Sequence, residues 1–273
     1  MIPEYLSLGA GVQSSCLALM AAKGEVGPMP AAAIFADTQD EPDSVYLWLN
    51  WLEKQLPFPV IRVTAGKLSA DVLRFRTSKK GVVYTRTNIP FNTLSANGKI
   101  GRVQMRGCTA EFKIRPILKM QRKLAGIKRG QKIVGAISWV GISLDEIYRM
   151  KESREPWIKN RWPLVEAGMK RHDCLRWMER NGYPHPPRSA CVFCPFHSNA
   201  EWRNLKQNEP VAFERAVAFE RAVAEAKANT DNIRSSLWLH RSCKPLDTVD
   251  FSTQEDNGQG NLFNNECTGM CGV

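Results

Sequence analysis

Residues 7–15 read Ser-Leu-Gly-Ala-Gly-Val-Gln-Ser-Ser, between the lead-in EYL and the apolar run CLALMAA. A glycine-rich turn between a strand and a helix exposes backbone N–H groups, and the helix adds the positive end of its dipole. Together these make a cradle for an anion, with phosphate the natural guest. Ser14 and Ser15 can add hydroxyl donors. The spacing fits neither G-x-x-x-x-G-K-[ST] nor G-x-G-x-x-G, which disfavours an ordinary Walker ATPase or a Rossmann dinucleotide site. A second chemistry lies in the eight cysteines. Cys191 and Cys194 form C-x-x-C with Pro195 directly after, a spacing that lets two thiolates bind one centre. Iron–sulfur clusters, zinc and redox disulfides all use it. Cys16, on an apolar helix face behind the glycine-rich turn, reads as a core thiol. The histidines lack a zinc spacing, and His240, close to Cys243, is the one that could join a thiol site.

These residues need a scaffold, and the pattern supplies one. Residues 3–15 read as a strand followed by a Gly/Ser turn, AAAIFADTQD as a second apolar strand ending in polar and acidic residues and FPVIRVTAG as a third, with SSCLALMAAKG and SVYLWLNWLEKQL as helices between them. This β-α-β-α-β alternation predicts an α/β fold with a doubly wound, mostly parallel sheet. Ligands of such sheets bind at the carboxyl edge of the strands, where the glycine-rich turn lies. Residues 79–105 read as a long basic loop or hairpin. EFKIRPILKMQRKLAG resumes as a basic helix and QKIVGAISWVGIS as a buried strand. After about Arg154 the texture turns to Trp, Pro, Arg and Cys. The expected division is therefore a nucleotide-binding domain over 1–155, a cysteine-rich, largely helical region over 156–247 and a flexible tail over 248–273. VAFERAVAFERAVAEAKA, with FERAVA twice, reads as an exposed helix carrying a local duplication.

The formal charge of +11, from 38 Lys+Arg against 27 Asp+Glu, points to a polyanionic partner such as nucleic acid or a nucleotide. No apolar run approaches the roughly 20 residues of a membrane span. The start MIPEY is not a secretory leader, so a cytoplasmic location is expected and the cysteines read as metal, cluster or redox residues.

The glycine-rich turn resembles the PP-loop, S-G-G-x-D-S, of the ATP-pyrophosphatase and phosphoadenosine-phosphosulfate reductase superfamily. Ala10, Gly11, Gln13 and Ser14 stand where that motif has Gly, Gly, Asp and Ser. FADTQDEP resembles the superfamily's second-strand DTG segment. RGCTAEFKIRPIL resembles its C-x-x-x-x-K-x-x-P-[IL] segment, and GISLDEIYRMKES its GIR-x-x-E-S-x-x-R stretch. WPLVEAGMKRHDCLRWMERNGYPHPP is similar to its P-L-x-x-W-x-x-x-D-V segment, so the ordered resemblance covers residues 4–196.

The resemblance implies an adenine nucleotide alpha hydrolase-like fold. It places the β- and γ-phosphates of ATP with Mg2+, or the anion of an adenylylsulfate-type nucleotide, on Ser7, Gly9, Ala10, Gly11, Gln13, Ser14 and Ser15. Asp37 and Thr38 lie beside adenosine, and Arg115 also contacts the nucleotide. Lys113, Arg149, Asp145 and Glu146 are the implied catalytic residues. The adenylylsulfate reductases of this superfamily hold a [4Fe-4S] cluster with a Cys-Cys pair and a C-x-x-C. Cys108, Cys191 and Cys194 match that set, Gly107 replaces one member of the pair, and Cys174, or else Cys243, is the candidate substitute ligand. Cys267 after Glu266 matches the reductases' tail nucleophile, and Cys271 could resolve it. Three functions follow. The first is an adenylating enzyme that places sulfur in nucleic acid, as in DNA phosphorothioation or tRNA thiolation, supplied by a sulfur donor such as a cysteine desulfurase. The second is a sulfonucleotide reductase with a thioredoxin-like reductant. The third is a nucleotide-binding accessory protein without turnover.

Overall fold

The computed structural model describes residues 2–86, 88–103, 106–230 and 235–252. In chain order the elements are β1 Glu4–Leu8, α1 Val12–Ala22, β2 Ala32–Asp37, α2 Asp43–Glu53, β3 Val60–Thr64, α3 Leu68–Leu73, β4 Arg76–Thr77, β5 Val83–Tyr84, β6 Asn92–Leu94 and β7 Ile100–Arg102. A π-helical turn, Cys108–Ile114, leads into α4 Arg115–Leu124, β8 Ala136–Val140, a 3-10 turn Leu144–Arg149, β9 Ile158–Arg161, α5 Pro163–Glu166 and α6 Arg171–Arg180. α7 Asn199–Asn208, α8 Pro210–Ala228 and β10 Ser236–Trp238 follow. The chain divides into two interleaved compact units. The first holds residues 1–65 and 109–189, and the second holds 66–108 and the described residues from 190 onward.

The first unit is an α/β layer structure around a five-stranded, all-parallel sheet of order β3-β2-β1-β8-β9. Alternation along the strands splits its core in two. Leu6, Leu8, Ala33 and Phe35 pack with α1, α2 and α6 on one face. Tyr5, Ala32, Ile34 and Ile158 meet Ile117, Leu118 and Met120 of α4 on the other. In α2 the buried residues Val45, Trp48, Leu49 and Leu52 follow helical spacing, so the helix lays one stripe on the sheet. The expected boundary at 155 falls inside this unit, because β9 adds the fifth strand beside β8 and α6 packs against α1. The Trp and Cys residues that follow Arg154 belong to this unit's core, where Trp157, Cys174 and Trp177 are buried.

The second unit contains the hairpins β4–β5 and β6–β7, with β10 added antiparallel to β6. The helix with the repeated FERAVA is packed rather than exposed. Phe213, Ala216, Phe219, Val223 and Ala226 are buried, and Phe219 stacks on Phe193 at 4.0 Å. Glu220 is buried as well, its carboxylate accepting the Leu239 and Leu246 N–H groups at 2.8 and 2.7 Å. Burial raises its pKa above the usual carboxylate range. No helix among the described residues is long and apolar enough to cross a membrane.

Candidate functional site

Strand order reverses direction at β1, whose neighbours are β2 on one side and β8 on the other. In a doubly wound sheet this switch point opens a crevice at the carboxyl edge. The two loops that leave it are Gly9–Gly11 after β1 and Gly141–Ser143 after β8. The second loop lies against the first turn of α1: a Cβ on Gly141 would stand 3.0 Å from both N and Cα of Ser14. Glycine at 141 therefore permits a backbone-to-backbone approach that no side chain allows.

The loop is built to leave amides available. α1 starts at Val12 with Gly11 as its N-cap, no side chain caps it, and its first turn carries no acid. The opening N–H groups of the helix, with its dipole, form its anion-attracting end. Ala10 holds φ at +56°, a left-handed conformation that alanine adopts at a cost of about 1 kcal/mol. Ser14 holds the turn, since its Oγ accepts the Gly9 N–H at 3.1 Å and lies 3.4 Å from Gly11 O. Ser15 faces the other way. It is fully buried and its Oγ accepts the Trp48 indole N–H at 3.0 Å, so it braces the helix from behind. Ser7 Oγ pairs within the sheet with Ser138 Oγ at 3.1 Å.

Gln13 ties this loop to the segment after β8. Its Nε2 donates to Glu146 Oε2 at 3.1 Å and approaches Ser143 Oγ at 3.4 Å, and its Oε1 accepts from Arg171 Nη1 at 3.0 Å. Glu146 is ion-paired with the buried Arg149. Asp145 Oδ1 accepts the Arg171 backbone N–H at 3.1 Å. The carboxamide thus stands between an acid and a base, donating to one and accepting from the other. An aspartate here could not donate to Glu146, which gives a physical reason for the departure from the S-G-G-x-D-S pattern. Ser143 and Arg171 were not legible as site residues. Arg171 sits in a run of charges, KRHD, that reads as a solvated face.

At the end of β2, Asp37 Oδ1 accepts the Gln39 N–H at 2.7 Å and the Tyr46 hydroxyl at 2.8 Å. Burial and then this carboxylate push the Tyr46 phenol well above its usual range. Thr38 is fully buried. Lys113, in the π-helical turn, places Nζ 3.3 Å from Glu41, whose side chain is 1% exposed. Glu41 carried no sequence signal beyond the acidic end of FADTQDEP. Arg115 is the most open of the candidate cations, its side chain 73% exposed and 3.9 Å from Glu111.

The cysteines separate by unit. Cys174 lies in the first unit's core with Cys16, both wholly buried. The hydrogen bond that the Cys16 S–H makes with Cys174, then burial, drives the Cys16 thiol far above its usual pKa. Cys108, Cys191, Cys194 and Cys243 belong to the second unit. α6 turns Cys174 inward against α1, which sets it among apolar core side chains. The C-x-x-C is a tight turn, with the Cys194 N–H donating to Cys191 O at 3.0 Å. Burial raises the Cys243 thiol pKa, and Cys243 sits at φ +52°. Gly107 also has a structural reason, since a Cβ there would stand 3.0 Å from Asn88 Oδ1. Just past the C-x-x-C, the guanidinium groups of Arg102 and Arg106 both stack on Phe196, at 4.8 and 4.6 Å. No group of three or more His, Cys, Asp or Glu side chains among the described residues is gathered closely enough to hold a metal ion. Cys267 and Cys271 lie outside the described residues.

Comparison with protein-family models, curated proteins and solved structures gives no match.

Proposed function

We propose that the chain is an adenylating enzyme of the PP-loop type that binds ATP at the Gly9–Ser14 loop and activates an oxygen of a nucleic acid for replacement by sulfur. The observation that carries this reading is the close approach of Gly141, in the loop after β8, to the first turn of α1 at the switch point of a parallel sheet, where no side chain caps the helix. The helix end and loop amides would hold the β- and γ-phosphates with Mg2+. A substrate oxygen attacks the α-phosphate and pyrophosphate leaves, a step that needs positioning and charge neutralisation more than proton transfer. Lys113 and Arg149 are the cations assigned to the developing charge, Arg115 lies open to the nucleotide, and the Gln13–Glu146–Arg171 network fixes the loop that holds it. Asp37 ends the strand beside which adenosine would lie, and Thr38 follows it.

The sulfur half of the reading rests on thiols. Cys108, Cys191 and Cys194, with Cys243 as the fourth thiol among the described residues of their unit, are the residues whose chemistry fits a thiolate-held [4Fe-4S] centre. Binding of such a centre is coupled to local folding, so these ligands would close on it as it forms. When bound it would supply a site for sulfide or persulfide delivered by a donor protein such as a cysteine desulfurase.

The test is direct. Incubation with ATP, Mg2+, nucleic acid and a sulfide donor is expected to yield AMP and pyrophosphate in equal amounts, pyrophosphate leaving on adenylation and AMP leaving when sulfur displaces the adenylated oxygen. Sulfite release from adenylylsulfate without ATP would instead make the chain a sulfonucleotide reductase. Tight nucleotide binding with no turnover under any sulfur donor would make it an accessory protein.

A further inference from the structure

We propose that the two lysine-tipped hairpins of the second unit form a binding surface for a single strand of nucleic acid. Residues 66–108 carry Lys67, Arg74, Arg76, Lys79, Lys80, Arg86, Lys99, Arg102 and Arg106 against Asp71 alone, so most of the chain's net charge is concentrated there. That one acid is engaged internally, with Arg76 Nη2 at 2.5 Å and Asn88 Nδ2 at 3.0 Å from its carboxylate. Arg74, Lys79, Lys80, Lys99 and Arg102 are exposed.

Both tips use the same turn. In residues 78–82 the Gly81 N–H bonds Ser78 O at 3.0 Å, the Ser78 N–H bonds Val82 O at 2.9 Å, and Gly81 holds φ at +79°. In residues 95–99 the Gly98 N–H bonds Ser95 O at 2.9 Å, the Ser95 N–H bonds Lys99 O at 3.1 Å, and Gly98 holds φ at +79°. This is the turn-plus-left-handed-glycine closure that rigidifies a hairpin, and it leaves Lys79 with Lys80, and Lys99, as the only charged residues of the two tips.

Apolar side chains stand among these cations. Phe75 is 50% exposed and Ile100 57%, with Val82 and Val83 also open. A phosphate needs no such neighbours, whereas unstacked bases and sugars do. Duplex backbone would use the cations and leave the apolar groups in water. At the base of the second hairpin, Arg102 is oriented by Asn92 Oδ1 at 3.2 and 3.0 Å and shares the Phe196 ring with Arg106. Two guanidinium groups on one ring repel each other, and a backbone phosphate bound by both relieves that repulsion.

The role of this surface rests on the nucleic-acid reading above, but binding to it can be measured apart from turnover. Fluorescein-labelled DNA and RNA strands of about 20 nucleotides, and the matching duplex, are titrated with the full chain by anisotropy at several NaCl concentrations. Single strands are expected to bind more tightly than the duplex. The triple variant Lys79→Ala, Lys80→Ala, Lys99→Ala is expected to lower the slope of log K against log salt by about 2, at roughly 0.7 per lost phosphate contact. Phe75→Ala is expected to weaken single-strand binding by about tenfold and to leave duplex binding unchanged. The corresponding triple Lys→Arg variant should keep the slope, which separates loss of charge from loss of fold. An unchanged slope in the alanine variant, equal affinity for duplex and single strand, or binding to phosphatidylserine vesicles in place of oligonucleotides would each overturn the proposal. ATP turnover with nucleic acid and a sulfide donor present is followed in parallel. If turnover is absent while the strand-binding results hold, the adenylating function fails and the surface stands.

Discussion

Gln13→Glu is an isosteric change that probes the centre of the site. In the wild type the Gln13 amide donates to Glu146 Oε2 at 3.1 Å and accepts from Arg171 at 3.0 Å. A glutamate would put two carboxylates at that separation, with a repulsion of about 4 kcal/mol for a pair at 4 Å under an effective dielectric of 20. It would also gain an attraction to Arg171 of nearly the same size, so these two effects cancel to a first approximation. What is left is the lost hydrogen bond to a charged acceptor, about 1.5 to 3 kcal/mol. The net cost expected at pH 7.5 is therefore about 2 kcal/mol. The sign of its pH dependence follows. The introduced carboxyl and Glu146 would together hold a proton more tightly folded than unfolded, so the deficit is small below the unfolded carboxyl value of about 4.3 and appears as pH rises through the raised folded value. Urea denaturation of both proteins at pH 4.5 and 7.5 measures it. A variant as stable as wild type at pH 7.5, or one with the same deficit at both pH values, would refute the contact between Gln13 and Glu146.

Gly141→Ala would drive a methyl against the backbone of Ser14, where 3.0 Å is all the room there is. A loss of about 1 to 3 kcal/mol in stability and of at least about tenfold in ATP affinity by calorimetry is expected, and unchanged ATP affinity contradicts the role of the loop contact. Iron and sulfide analysis after anaerobic reconstitution should show Cys191→Ser depleted in iron and Cys174→Ser retaining it; the reverse would return Cys174 to the ligand set. His240 accepts the Ser242 N–H on Nδ1 at 3.1 Å and faces Asn199 Oδ1 through Nε2 at 3.1 Å. Burial, then Arg241, lowers its pKa to about 4. The unfolded imidazole protonates first as pH falls, so stability is full above about pH 6.5 and as much as about 3 kcal/mol is lost on the way down to pH 4. His240→Gln should flatten that loss in urea titrations, and an equally steep acid limb in the variant would assign it elsewhere.

The sequence by itself determined the local elements. Strands β1 to β3 and helices α1 and α2 follow from apolar runs and helical spacing. The glycine-rich turn announced itself because loop conformation depends on residues within a few positions of each other. The hairpins were half legible: glycines and basic residues marked residues 79–105 as irregular, but very short strands give too little alternation to read. Tertiary structure alone decided which distant segments meet. Cys174 looked like a ligand by its distance along the chain, yet the face that α6 turns inward sets it beside Cys16. Residues 66–108 and the segment after 190 join in one unit although 81 residues of the other unit, 109–189, lie between them. Strand order, with β8 laid beside β1, brings Gly141 onto Ser14 and Glu146 onto Gln13. Periodicity and turn chemistry are short-range and are written in neighbouring residues. The convergence of side chains on one crevice depends on sheet order and on which faces find partners, which is settled only when the whole core packs.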